Sequence, residues 1–376
     1  MNIGSIKNID WFLLILVIIL VVFGLAAIYS TSFDSTKIVN FQKQAIFSVI
    51  GFVSMAVIIL MMDYRMLRTY SGILYLGAVL FLILTIATAS MIRGVYSWFD
   101  FGSFSFQPTE FIKIILVVSL AKYFSTRDIG DFKHVIISSI YAVIFIALIA
   151  LQPDMGMAAI FVIIWVSMSV AAGLKFKHFV VLALVLAISG AFSWGYVFKD
   201  YQKDRILIFM DPYKDPQKRG YNIIQSKIAI GSGGLLGKGF GRGTQSQLNF
   251  LPEKYSDFIF AAIAEESGFL GVTMLFIIFT CVFRQIFSVI KKINDSFGKL
   301  LIFGGGVMIF SGFFINIASN LALVPVTGIP LPFISYGGSS LVATFITIGL
   351  IQNVIIRNEE SYKIKDNIID SYQQKC

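Results

Sequence analysis

Carboxylates are scarce in this chain, and the few that interrupt its apolar stretches are the side chains able to do acid–base chemistry. Asp257 closes the run Leu251-Pro252-Glu253-Lys254-Tyr255-Ser256-Asp257 and is followed at once by Phe258-Ile259-Phe260. A carboxylate there opens an apolar helix at a water–lipid boundary. It can cap the helix, or it can take a proton from a bound hydroxyl. Glu253 stands four residues earlier, near enough to act as a second acid if the turn is helical. Upstream, residues 231–243 hold seven glycines around Lys238 and Arg242. Glycine lets backbone N–H groups approach a phosphate closely, and the two cations add charge, so an anion site is favoured over a flexible linker. The Gly-Lys-Ser/Thr ending of a P-loop is missing. Just before it, Tyr221, Ile224 and Ile228 share one helical face while Gln225 and Lys227 point elsewhere, which suits a short helix lying in the outer interface or, equally, a plain amphipathic cover over the bundle. Glu110 and Lys113 sit one turn apart, as a buried structural pair or as part of a site, and Asp154 is either a cap or a site contact.

The elements that must position these residues follow from composition. Charged residues are 14% of the 376 and aromatics 15%, with a mean hydropathy of +0.82. A soluble domain that apolar would expose large sticky patches, whereas a bilayer removes the objection. Spans of about 20 apolar residues are needed to cross. They are predicted at 11–30, 44–62, 71–90, 107–124, 135–151, 155–172, 178–198, 257–283, 299–322 and 336–356. The fold class expected is an all-α polytopic membrane protein of about ten transmembrane helices, with a large outer loop between the seventh and eighth. The chain reads as a single membrane domain over 1–376, with residues 199–256 as that extracytoplasmic loop. Lys7, Arg65, Arg68, Lys122, Arg127, Lys133, Lys175, Lys177 and the later cations fall on one side, and only Lys37, Lys43 and Arg93 on the short loops of the other. The positive-inside rule then makes both termini cytoplasmic. The same asymmetry explains much of the +9 net charge without nucleic acid. Two cysteines and two histidines supply neither a disulfide framework nor a metal cluster.

Several runs together resemble one family. Arg93-Gly94 with Trp98, then Gln107-Pro108-Thr109-Glu110-x-x-Lys113, is similar to the pattern around the fourth helix of the SEDS proteins (shape, elongation, division, sporulation). Gln152-Pro153-Asp154-x-Gly156 is another signature of that family. Three further runs resemble its rod-shape-determining branch: Tyr201-Gln202-Lys203-x-Arg205, Gly220-Tyr221 with residues 225–234, and Gly243-Thr244-Gln245 with Phe250-Leu251-Pro252-Glu253. Pro330-Leu331-Pro332-Phe333-Ile334-Ser335-Tyr336-Gly337-Gly338 fits as well, and Ser256 stands where the family commonly has Thr. The resemblance implies a bacterial inner-membrane peptidoglycan glycosyltransferase acting on lipid II and a nascent glycan strand. It places the family's essential acid at Asp257. It also implies a class B penicillin-binding transpeptidase partner and rod-complex membrane and cytoskeletal proteins.

The chemistry agrees with these residues. Joining a sugar bound through pyrophosphate to a hydroxyl, with α changing to β, needs one inverting displacement. A glycosidase uses two carboxylates because its leaving oxygen needs a proton. Pyrophosphate leaves without one and needs cations instead. Asp257 would serve as base, and Lys227, Lys238 and Arg242 would stabilise the leaving group. Arg205, Glu110, Lys113, Asp154 and Glu253 would support or bind. A divalent cation, Mg²⁺ or Mn²⁺, could share the load, although no dedicated metal motif is present. The rival is a lipid II flippase, whose polar path across the bilayer would use Glu265, Glu266, Asn316 and Asn320.

Overall fold

The computed structural model describes residues 8–31, 38–92, 95–102, 104–196, 200–216 and 220–373. Long apolar runs form the helices α1 (Trp11–Thr31), α2 (Ile38–Met61) and α3 (Tyr64–Thr88). They are followed by α4 (Pro108–Thr126), α5 (Phe132–Leu151), α6 (Met155–Ala171) and α7 (Phe176–Tyr196). The connection after α7 folds into α8 (Asp200–Met210), α9 (Tyr221–Ser232) and α10 (Thr244–Gln247). Then come α11 (Ile259–Val289), α12 (Ser296–Asn320) and α13 (Gly338–Gln373). Eight of these are long and apolar enough to cross a membrane: α1, α2, α3, α5, α7, α11, α12 and α13. The shorter α4 and α6, of 19 and 17 residues, each rise about 25–29 Å, close to the thickness of the hydrocarbon core. The chain is an all-α polytopic membrane protein of about ten spanning helices.

Acidic residues mark the helix starts. Asp63, Asp131, Asp154 and Asp295 accept backbone N–H bonds at the first turns of α3, α5, α6 and α12. Each satisfies an orphan donor and meets the positive end of the helix dipole. Pro108 begins α4, where its missing N–H costs nothing. The helices start earlier than the hydropathy predicts, at Ile38 rather than 44 and Tyr64 rather than 71. Amphipathic first turns carrying Lys43, Arg65 and Arg68 continue the helix beyond the purely apolar segment.

α12 and α13 are the most buried of the membrane-length helices, while the apolar stretch of α7 is not buried at all. α4 packs against α3, α6, α12 and α13, and α2 lies along α13. Between α3 and α4 a small antiparallel sheet, absent from the sequence-based expectation, runs β1 (Ser90–Ile92), β2 (Val95–Asp100), β3 (Ser105–Phe106). It pairs Ser90 with Trp98 and Phe99 with Phe106. Phe99 stacks on Phe81 of α3 with ring centroids 5.9 Å apart, which seats the sheet on the bundle.

α9 turns a different face to the bundle from the one its pattern suggests. Its buried face is Ile223, Ser226 and Ala229 rather than Tyr221, Ile224 and Ile228, and it packs along α11. Ser226 Oγ donates to the carbonyl of Asn320, 2.8 Å away. The glycine-rich segment after α9 descends beside α11 and meets it at a kink. Gly268 there has φ 63° and ψ −163°, a conformation open to glycine. Gly237, at φ 78°, sits where a Cβ would come within 2.1 Å of the Glu266 carbonyl. The N–H groups of Lys238 and Gly239 bond the carbonyls of Glu265 and Glu266, and those of Phe269 and Leu270 bond Gly234 and Leu235. The segment thus satisfies backbone groups that the kink releases, as irregular backbone at membrane depth requires.

Candidate active site

At one end of the bundle, a cavity of about 420 Å³ is lined by Asp257, Glu253, Asp154, Gln107, Asn222, Thr327 and Trp98, among others. Several elements meet there, which explains why residues distant in sequence share it. Asp154 comes from the turn between α5 and α6, Gln107 from the start of α4 and Asn222 from α9. Trp98 comes from β2, and Glu253 and Asp257 from the turns before α11. Asp154 divides its carboxylate: Oδ1 accepts from Met157 N at 3.1 Å, and Oδ2 accepts from Gln107 Nε2 at 3.4 Å. Asp154 thus caps α6 and also lines the cavity beside Gln107.

Asp257 is held through its backbone. Its carbonyl accepts from Asn316 Nδ2 at 3.1 Å and from Asn320 Nδ2 at 2.9 Å. Asn316 also donates to Ile329 O at 2.8 Å, and Asn320 Oδ1 accepts from Ala261 N at 3.2 Å. The preceding residues are pinned by the segment before α13. Ser335 Oγ donates to Ser256 O at 2.6 Å, and Tyr336 N donates to Tyr255 O at 2.7 Å. Gln44 of α2 braces that segment by donating to Ser335 O and accepting from Gly337 N. Burial, and then Tyr255 beside it, raise the Tyr336 phenol above its ordinary value and keep it neutral. Ser256 Oγ donates to Glu253 Oε2 at 3.1 Å, so this acid is oriented toward the turn that carries Asp257.

The cations take other places. Among the described residues lining the cavity, none is Lys or Arg. Lys238 Nζ lies 2.8 Å from Glu265 Oε1, and Glu265 is fully buried. Glu265 also accepts from the N–H groups of Gln245 and Ser246 and from Thr244 Oγ1. Glu266 accepts from Ser30 Oγ and, at 3.5 Å, from Gln247 Nε2. Over 231–243, where an anion cradle is expected, the glycines permit close approach to α11 and Lys238 neutralises a buried carboxylate. Lys227 and Arg242 are exposed. Arg205 falls on α8, and its side chain, like Arg93, lies outside the described residues. Glu110 and Lys113 pair at 2.7 Å, both almost wholly buried within α4, apart from the lining of the cavity. No group of three or more His, Cys, Asp or Glu side chains is set to hold a metal ion among the described residues.

Asn316 and Asn320 were legible as polar residues within a span. Their spacing gave no sign that they grip a carbonyl rather than line a path. Asn222 and Thr327 carried no signal in the sequence.

The family model for FtsW/RodA/SpoVE, described as cell cycle protein, matches residues 9–360. The peptidoglycan glycosyltransferase MrdB of Escherichia coli (strain K12) is 31% identical over 353 residues, 92% of this chain and 93% of MrdB. Stage V sporulation protein E of Bacillus subtilis (strain 168) is 35% identical over 358 residues, 92% of this chain and 96% of that protein. A solved structure of a peptidoglycan synthase complex that coordinates polymerization and crosslinking contains a similar chain. It superposes with a TM-score of 0.81 at 27% identity, covering 93% of this chain and 98% of the other. Over nearly its whole length, therefore, this chain belongs to the FtsW/RodA/SpoVE family of membrane proteins.

Proposed function

We propose that this protein is a peptidoglycan glycosyltransferase that polymerises lipid II into glycan strands for cell-wall elongation, with Asp257 as general base. The observation that carries the reading is the cavity in which Asp257, Glu253 and Asp154 converge with amide side chains at one end of a membrane-spanning bundle. Asp257 takes the proton of the acceptor sugar's 4-hydroxyl as that oxygen attacks the donor's anomeric carbon. The bond from that carbon to the pyrophosphate oxygen breaks, the configuration inverts, and undecaprenyl pyrophosphate leaves as an anion. Lys227 and Arg242, exposed on the segment that follows Asn222, are the cations free to meet it, whereas Lys238 is engaged with Glu265. Asp154 and Glu253 bind sugar hydroxyls. The segment 199–256 contributes Ile208, Asn222, Ile223 and Glu253 to the cavity, which supports its place in the active site of a single membrane domain.

The protein sits in the bacterial cytoplasmic membrane with both termini inside and the cavity outside, a placement that its cation asymmetry supports. Its partner is a class B penicillin-binding transpeptidase, which crosslinks the strands, within a rod complex of membrane and cytoskeletal proteins. The similarity to a synthase complex that coordinates polymerization and crosslinking supports that pairing. The flippase reading loses its path. Glu265, Glu266, Asn316 and Asn320 are buried and bonded to neighbouring chain segments.

Purified protein, with and without the transpeptidase, is to be incubated with lipid II in detergent and the products separated by size. Glycan strands are expected. Folded protein that makes none with its partner, yet moves lipid II across liposomes, would replace the polymerase with a flippase. Asn316→Ala and Asn320→Ala test the carbonyl grip. Each should lower kcat about 10- to 100-fold through displacement of Asp257 while leaving KM for lipid II nearly unchanged. Unchanged kcat would remove the positioning role.

A further inference from the structure

The cavity has one feature that acid–base chemistry does not use. Trp98 presents a half-buried indole to it. The other aromatic residue in the lining, Phe258, is only 2% exposed and belongs to the core. The same lining is rich in acceptors and amides: Asp154, Glu253, Asp257, Gln107 and Asn222. Such a lining, an aromatic ring among acceptors and amides, suits a neutral polyol. A pyranose has that two-sided character. Its C–H face is apolar and faintly positive, matching the negative face of an aromatic ring, and its hydroxyl edge needs acceptors. A volume of about 420 Å³ lies within the range of small-ligand pockets.

The strand that carries the indole is also anchored. Trp98 pairs with Ser90 across the small sheet. The next residue, Phe99, stacks on Phe81 of α3. Tyr96 N donates to Gln152 O at 3.2 Å, which ties β2 to the turn that carries Asp154. The platform and the acid therefore keep a fixed relation, as a binding site on a rigid frame requires.

We propose that Trp98 is the stacking platform for a pyranose ring of the sugar substrate, holding it so that its hydroxyl edge faces Asp154, Glu253 and Asp257. This rests on the polymerase reading above, and its test separates the two. Trp98→Ala should raise KM for lipid II roughly tenfold with kcat within about threefold, and Trp98→Phe should restore most of the affinity. If Trp98→Ala does not fold, Trp98→Leu, which keeps apolar bulk without a ring face, takes its place. Intrinsic fluorescence gives a readout independent of turnover. A soluble β-1,4-linked N-acetylglucosamine tetramer should change the emission of the wild-type protein saturably, and Trp98→Phe should lose that change. A KM unaltered by Trp98→Ala or Trp98→Leu in a protein that polymerises overturns the proposal. So does an emission change of equal size in wild type and Trp98→Phe. Absence of polymer from every protein, wild type included, strikes the polymerase reading instead, and the fluorescence titration still decides whether a sugar binds at Trp98.

Discussion

Glu110→Ala is expected to destabilise the folded protein by about 3–5 kcal/mol, because it leaves Lys113 charged and unpaired inside the bundle. The two groups lie 2.7 Å apart, with side-chain exposures of 2% and 8% for Glu110 and Lys113. Neither can turn to water: α4 is enclosed by α3, α6, α12 and α13. Lys113→Ala should also destabilise, because it leaves Glu110 without its partner inside the bundle. The double variant Glu110→Ala/Lys113→Ala should recover part of the loss, so the cycle shows a coupling of about 1–3 kcal/mol. Unfolding in detergent, followed for the wild type and the three variants, measures this. Activity should fall with stability, because α4 begins at Gln107 and Pro108. The Gln107 side chain bonds Asp154, and its N–H bonds Ser339 Oγ at 3.0 Å. A Glu110→Ala protein as stable as the wild type would show that the pair is not buried as described.

The bundle was legible in the sequence because hydropathy alone decides which segments cross a bilayer. The residues 11–30 were read almost as they are found, at Trp11–Thr31. What hydropathy does not encode was missed. The sheet at 90–106 is two short strands and a fragment, aromatic rather than alternating, and its stability comes from Phe81 beneath it. α9 carries apolar residues around much of its circumference, so its buried face was decided by α11 and not by its own pattern. Asp257, Glu253 and Asp154 could be singled out because charge near a membrane demands a reason, and the fold brings all three to one cavity. Lys238 was assigned to a phosphate because only its glycine neighbours were visible. Its partner Glu265 is distant in the chain, and nothing local predicts the contact. The grip of Asn316 and Asn320 on a carbonyl is likewise a tertiary fact.

The claim on which the account turns is that Asp257 accepts the proton of the attacking hydroxyl. Asp257→Asn keeps the shape of the side chain and leaves the carbonyl clamped by Asn316 and Asn320 untouched. It should fold and bind lipid II as the wild type does. It removes only the ability to take a proton, and a positioned general base contributes about 10²–10⁴-fold. The most direct measurement is the initial rate of glycan-strand synthesis from purified lipid II. Wild type and Asp257→Asn are compared, each with its transpeptidase partner present and each shown to be folded. The account predicts strands from the wild type and a rate at least about a hundredfold lower from Asp257→Asn at equal lipid II binding. Equal rates from the two proteins would contradict it.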